Sequence, residues 1–143
     1  MRLPTFAVVA LVCACAPAHH APEFIAAASG PVRPFSPAVR VDGVLYLSGQ
    51  IGTDSTGRVV VGGVQAETRQ AMENIRAVLT RAGSSLDRVA KCTVFLADMR
   101  EWGAMNAIYV TFFDAARRPA RSAMGTSGLA LDARVEIECI AVA

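Results

Sequence analysis

The stretch from Val135 to Val142 alternates without a break. In an extended strand Val135, Ile137, Cys139 and Ala141 share one side, while Glu136, Glu138, Ile140 and Val142 share the other. The first side is apolar or small throughout and calls for burial under helices. The second mixes carboxylates with branched apolar residues, so neither open water nor a closed core suits it. A chain carrying this strand is expected to build a sheet with helices on one face only. Its other, half-apolar face is then expected to bury itself against copies of the same chain.

The rest of the chain supplies matching parts. Ala38–Val41 and Val44–Leu47 flank Asp42-Gly43, a dipeptide suited to a type I′ hairpin turn. Val59–Val61 reads as a short edge strand. Val64, Thr68, Ala71, Ile75, Val78, Leu79 and Ala82 follow helical spacing, and Gly83 is placed to stop that helix. Val89 to Leu96 reads as a strand. A second helix is expected from Met99 to Phe113, with Trp102, Met105, Tyr109 and Phe112 as a core stripe and Asn106 beside it. Ala120 to Thr126 and Arg134 to Val142 complete the strands. At 143 residues and 53% apolar content, one domain with a proper core is expected.

The N-terminus has a different character. Arg2 precedes the apolar run Phe6–Val12, which is too short to span a bilayer. The following Val12-Cys13-Ala14-Cys15 resembles a lipoprotein box, with Cys15 as the lipidated residue. Cys13 fits less well, because the branched Val12 precedes it. Ordinary secretory cleavage after Ala16 or Ala18 is the competing reading. The expected organisation is a signal segment over 1–15, a flexible Ala/Pro-rich tether over 16–31 and a folded domain over 32–143. The location that follows is exported, either periplasmic or membrane-anchored, with membrane contact only through the lipid.

Charge and cysteine usage exclude several chemistries. The formal charge of +2, less the one charge of Arg2, leaves about +1, with scattered arginines and Lys91 as the only lysine. No nucleic-acid footprint emerges from that balance. His19 and His20 are the only histidines and lie in the expected tether, so no histidine-based triad fits the domain. Neither C-x-x-C pairing nor other metal-ligand spacing occurs there. Cys92 and Cys139 read as small buried hydrophobes, or as a disulfide if the compartment is oxidising.

Arg121 follows Pro119-Ala120 at the start of a strand, and a fixed guanidinium suits bidentate capture of a carboxylate. A glutamate leaving the nearby last strand suits placing or deprotonating a water. Together they point to hydrolysis of a small anionic substrate without metal or covalent nucleophile. The alternative role for Arg121 is a structural ion pair with Glu136 or Glu138.

Pro34–Val39, Leu47–Ile51, Thr68–Asn74, Val94–Met99, Asn106–Phe113, Pro119–Ser122 and Val135–Glu138 keep the order and spacing of one family. From about Pro34 onward the chain resembles the reactive intermediate deaminase A (RidA/YjgF) family. The resemblance implies a chorismate-mutase-like α+β fold, with a six-stranded mixed sheet, two helices on one face and a homotrimer with sites between subunits. It implies hydrolysis of reactive enamines and imines, small 2-imino acids to 2-oxo acids and ammonia, with no cofactor and no metal. Carried over residue by residue, Arg121 binds the substrate carboxylate and Glu136 handles the water. Asn106, Ser48, Gly49, Phe35 and Ala123 line the pocket. Many members have tyrosine at Phe35, and many have cysteine or another residue at Ala123. The second reading, from another class, is a non-catalytic ligand-binding or scaffold trimer.

Overall fold

A computed structural model describes residues 21–28 and 33–143. Seven strands and two helices follow in the order β1 (Glu23–Ile25), β2 (Ala38–Val41), β3 (Val44–Leu47), β4 (Gln50–Ile51), α1 (Gly63–Arg81), β5 (Val89–Leu96), α2 (Trp102–Tyr109), β6 (Ala120–Gly125) and β7 (Val135–Val142). They form one mixed sheet with neighbours β1-β2-β3-β7-β5-β6, and β4 adds to β7 beyond the end of β3. The six-strand line is the expected sheet, and β4 extends it by one two-residue strand.

Local chemistry explains most boundaries. Asp42 and Gly43 both adopt positive φ, 45° and 79°, which the right-handed twist of a two-residue hairpin requires. Helix α1 ends because Gly83 turns left-handed at φ 74° and the Ser84 amide caps the Leu79 carbonyl at 2.8 Å. Strand β6 runs parallel to β5, so the chain must cross over between them, and α2 is that crossover. Helix α2 is shorter than its sequence pattern, because single 3-10 turns flank it at Met99–Glu101 and Val110–Phe112.

The core lies between the helices and one face of the sheet. Leu45, Met72, Ile75, Leu79, Leu96, Met105, Val135 and Ile137 are fully buried there. Truncating one of the larger of these, such as Leu45, to alanine costs about 2–5 kcal/mol. Along β7 the buried positions are Val135, Ile137, Cys139 and Ala141, as the alternation requires. Glu138, Ile140 and Val142 on the opposite face are exposed, and no third layer covers that face among the described residues.

Four expectations need correction. Glu23–Ile25, placed in the tether by composition, pairs with β2 as the edge of the sheet, and Ile25 joins the core. Residues 21–22 and 26–28 of the expected tether are exposed and form no regular structure, while residues 16–20 and 29–31 and the signal segment, with Cys15, His19 and His20, lie outside the described residues. Val59–Val61 is not a strand: only Val59 bridges to Thr53, and Val61 stands in solvent. Its β-branched run was read by propensity, yet no strand offers it a partner. Trp102 is not a core residue, being 40% exposed. Finally, Cys92 and Cys139 face each other across β5 and β7, with Cα atoms 4.1 Å apart, and are joined as a disulfide.

Candidate functional site

Arg121 leaves β6 on the helix-covered side of the sheet. One of its guanidinium nitrogens, Nη1, donates to Asn106 Oδ1 at 2.8 Å. A guanidinium only donates, so the amide oxygen of Asn106 must face it and the amide nitrogen keeps both hydrogens for other acceptors. The guanidinium carbon also lies 4.8 Å from the ring centre of Tyr109 and 5.5 Å from that of Trp102. Residues 102, 106 and 109 recur at i, i+4 and i+7, so a single face of α2 holds the arginine. Sequence reading placed Trp102 and Tyr109 in the core stripe. Their spacing from Asn106 was the signal that they belong to the arginine's cradle.

The charge of Arg121 is uncompensated among the described residues. Arg40, Arg76, Arg100, Arg117 and Arg134 each sit on a carboxylate. Among the described residues no carboxylate lies at ion-pair distance from Arg121, so the expected alternative of a pair with Glu136 or Glu138 does not form. Burial pushes the Tyr109 phenol up to about 12, against the opposing pull of Arg121, so the ring stays neutral beneath the cation. Its hydroxyl is buried without a hydrogen-bond partner. Ala123, two residues further along β6, faces the same side and is half-buried.

Glu136 belongs to a different place. Its strand partner is Phe95 on β5 and Ile51 on β4. The row of Arg121 runs through Cys92 to Cys139. Cys139 and Glu136 are an odd number of residues apart, so their side chains leave opposite faces of β7. Arg121 therefore sits on the helix side of one protomer and Glu136 on its open side. The sequence brought them together by strand position, and the tertiary structure separates them.

Of the other predicted residues, Gly49 lies against Glu136, and Ser48 ties the segment after Phe35 to the end of β3. The Glu136 carboxylate lies flat against Gly49: a Cβ built on that glycine would stand 1.9 Å from Oε1. Ser48 donates its hydroxyl to the Ser36 carbonyl at 2.7 Å, and its amide bonds the Pro37 carbonyl at 3.0 Å. These two bonds hold the segment carrying Phe35 beside the end of β3. The Ser48 hydrogen is thus spent, leaving its oxygen as an acceptor. Phe35 is 48% exposed, with Arg33 against its ring. The predicted site residues thus divide into two half-sites, Arg121–Asn106–Ala123 and Glu136–Gly49–Ser48–Phe35.

A polar brace positions both halves. Arg134, just before β7, grips Glu101 with contacts of 2.6 to 3.0 Å, and its amide donates to the buried Glu67 of α1 at 2.7 Å. Asp98, held by Arg100 at a pKa of about 2, caps the turn that leads into α2. These ion pairs are surface-exposed and contribute little to stability individually. They fix where α2 starts. On the other side Asn74 of α1 donates to the carbonyls of Ile51 and Thr53, which fastens β4 and the loop after it. Gly52 lets the backbones close up, since a Cβ there would meet the Glu67 backbone at 2.6 Å. Among the described residues no cluster of histidine, cysteine or acid suits a metal.

Comparison with known proteins converges on one family. Residues 25–143 match the family model described as Endoribonuclease L-PSP. A mouse protein named 2-iminobutanoate/2-iminopropanoate deaminase is 46% identical over 112 residues, covering 78% of this chain and 82% of its own. The human protein of that name is 42% identical over 118 residues, covering 82% and 85%. Among solved structures, a Rid-family protein of unknown function from Yersinia pestis superposes with a TM-score of 0.81 at 37% identity, covering 86% of this chain and all of that one. E. coli TdcF with bound serine gives 0.76 at 32% identity, covering 85% and 98%. The matched span takes in the last strand, the crossover that carries Asn106 and the arginine at the start of β6, and the chain belongs to the Endoribonuclease L-PSP (RidA/YjgF) family.

Proposed function

We propose that this protein hydrolyses small 2-imino acids, and their enamine tautomers, to 2-oxo acids and ammonia. The observation that carries the reading is the guanidinium of Arg121, uncompensated among the described residues and held in place by neutral partners. Such a group binds a carboxylate without first losing one of its own. The deaminase names of the mammalian relatives support the choice of substrate.

The reaction asks little of the protein beyond placement. Water adds through oxygen to the electrophilic imine carbon, and Glu136 takes its proton. That proton passes to nitrogen to give the carbinolamine; the hydroxyl proton then follows by way of Glu136 to the same nitrogen, the carbon–nitrogen bond breaks to release ammonia, and the 2-oxo acid remains. Arg121 holds the carboxylate throughout, Asn106 offers amide hydrogens, and Ser48 oxygen accepts. No cofactor enters this scheme.

Because the two half-sites leave opposite faces, one chain does not complete the site. We place the site between copies, with Arg121 of one chain meeting Glu136 of the next in a homotrimer. An apolar row supports the assembly: Phe24, Val39, Tyr46 and Ile140 lie in register across the open face, with Phe24 67% and Tyr46 50% exposed in the single chain.

Export and lipidation of Cys15 belong to the same proposal. The Cys92–Cys139 disulfide supports an oxidising compartment. Cys15→Ser is expected to release the protein from membranes; unchanged retention and mass would refute the anchor.

The test of the activity is ammonia release from imines generated in situ from several amino acids. Arg121→Lys keeps the charge but loses the planar fork. Losing a charge-assisted hydrogen bond worth about 1.5–3 kcal/mol lowers kcat/KM about 10- to 150-fold. A wild type that never accelerates hydrolysis overturns the deaminase in favour of a non-catalytic ligand-binding trimer. Phe35, which offers no hydroxyl, is the feature that favours that second reading.

A further inference from the structure

The Arg121 half-site has an apolar side that the hydrolysis does not use. Trp102 is the only tryptophan in the chain and remains 40% exposed, although it packs against the guanidinium. Met99, one turn earlier, is also exposed, and its side chain lies over Gly125, where a Cβ would meet Met99 Cγ at 2.9 Å. Arg121, Ala123 and Gly125 alternate along the same side of β6. Strand β6 is the edge of the sheet, so no further strand closes this side. These groups outline an open apolar trough, with Ala123 as its floor, Trp102 and the Met99 that covers Gly125 as its walls, and the Arg121 cation at one end.

A cation at the end of an apolar trough fits a ligand with a carboxylate joined to an apolar side chain. The division of labour around Arg121 also singles out Trp102. Asn106 fixes the guanidinium by a hydrogen bond in its plane, and the buried Tyr109 supports it from within. Trp102 contributes a face that solvent still reaches, where a ligand can add to the contact.

We propose that Trp102 is a positioning and selectivity residue: it steadies Arg121 and forms the wall against which the side chain of a bound 2-imino acid lies. The protein accordingly favours imines from amino acids with branched or aromatic side chains over the methyl-bearing one. This rests on the deaminase reading for the identity of the substrate, but not for the shape of the trough. Burying three extra carbons on one side against the wall corresponds to about a 10-fold preference.

The test uses the purified full-length protein and the 2-oxo acid products, which bind without turnover. Since Trp102 is the sole tryptophan, its intrinsic fluorescence reports the trough directly. Titration with 2-oxo acids bearing methyl, isobutyl and benzyl groups is expected to shift the emission, with isobutyl and benzyl about 10-fold tighter than methyl. Arg121→Lys is expected to weaken all three together. Calorimetry on Trp102→Ala is expected to bring the three affinities within about 2-fold of one another, while Trp102→Phe keeps most of the preference and serves as the folded control. Equal affinities in the wild type, or an unchanged preference in Trp102→Ala, overturn the wall. Failure of the deaminase reading looks different: no imine is hydrolysed, yet the ordering of the oxo acids and its loss in Trp102→Ala persist.

Discussion

Arg121 and Glu136 leave opposite faces of the same sheet, two strands apart, with the Cys92–Cys139 pair in the row of Arg121. On the proposed function, each chain presents an anion-binding half-site on its helix side and a water-handling half-site on its open side. Such a molecule completes a site only by pairing one face with the other face of a second copy. That is a head-to-tail relation, and the proposed homotrimer is the case in which its rotation closes into a ring.

Mixing variants tests this relation. Arg121→Ala and Glu136→Ala proteins are each expected to be at least 10-fold impaired when assembled alone. Co-expressed one to one, they assort at random, and about a quarter of the sites receive an intact arginine and an intact glutamate from different chains. Steady-state ammonia release should recover to about a quarter of wild type. Activity no higher than that of either parent places both groups in one chain and refutes the shared site.

Gly49→Ala separates the carboxylate from the fold. The new methyl would occupy the position of Glu136 Oε1, and the flexible carboxylate is the group that gives way. Expected is a fall in kcat similar to that of Glu136→Gln, with KM little changed. The melting temperature should move by no more than a few degrees, since no backbone atom is struck. Wild-type kcat would show that the contact with Gly49 has no role in aiming Glu136.

The disulfide closes a stretch of 47 residues that includes α2 and β6. Constraining a loop of that size in the unfolded chain contributes about 2–4 kcal/mol. The double variant Cys92→Ala/Cys139→Ala should lose that much in denaturant unfolding. Both sulfurs are buried, so native protein should resist reduction until it opens. Two reactive thiols from this pair in denatured, unreduced protein would refute the bond.

Tyr109 gives an alkaline signature. Its folded pKa of about 12 exceeds the ordinary 10.0, so the folded state holds the proton more tightly. The associated stability is complete below about pH 10 and is lost as pH rises through 12. Phenolate absorbance should show one tyrosine ionising only with unfolding, and Tyr109→Phe should flatten the decline of stability above pH 10. An unaltered pH profile in that variant would remove Tyr109 as the cause.

Local patterns were enough for much of the architecture. Alternation in Val135–Val142, helical spacing from Val64 to Ala82, and Asp42-Gly43 between two apolar runs each reflect short-range geometry, which the chain carries in its residue order. Residue types likewise pointed to Arg121 and Glu136, because a planar cation and a carboxylate have few equivalents in this chemistry. What composition misread were segments whose state depends on distant partners. Glu23–Ile25 is a strand because β2 offers an edge, and Val59–Val61 is not because only Val59 finds a bridge partner, Thr53. Trp102 looked like core because helical spacing cannot tell a stripe that meets the sheet from one that meets an arginine. Cys92 and Cys139 are 47 residues apart in sequence, and only the pairing of β5 with β7 brings them together. The same pairing, counted in odd and even steps, decides that Arg121 and Glu136 face apart. Residue order thus determined which groups the protein has and the local form of each element, while the long-range register of strands decided which of those groups share a face.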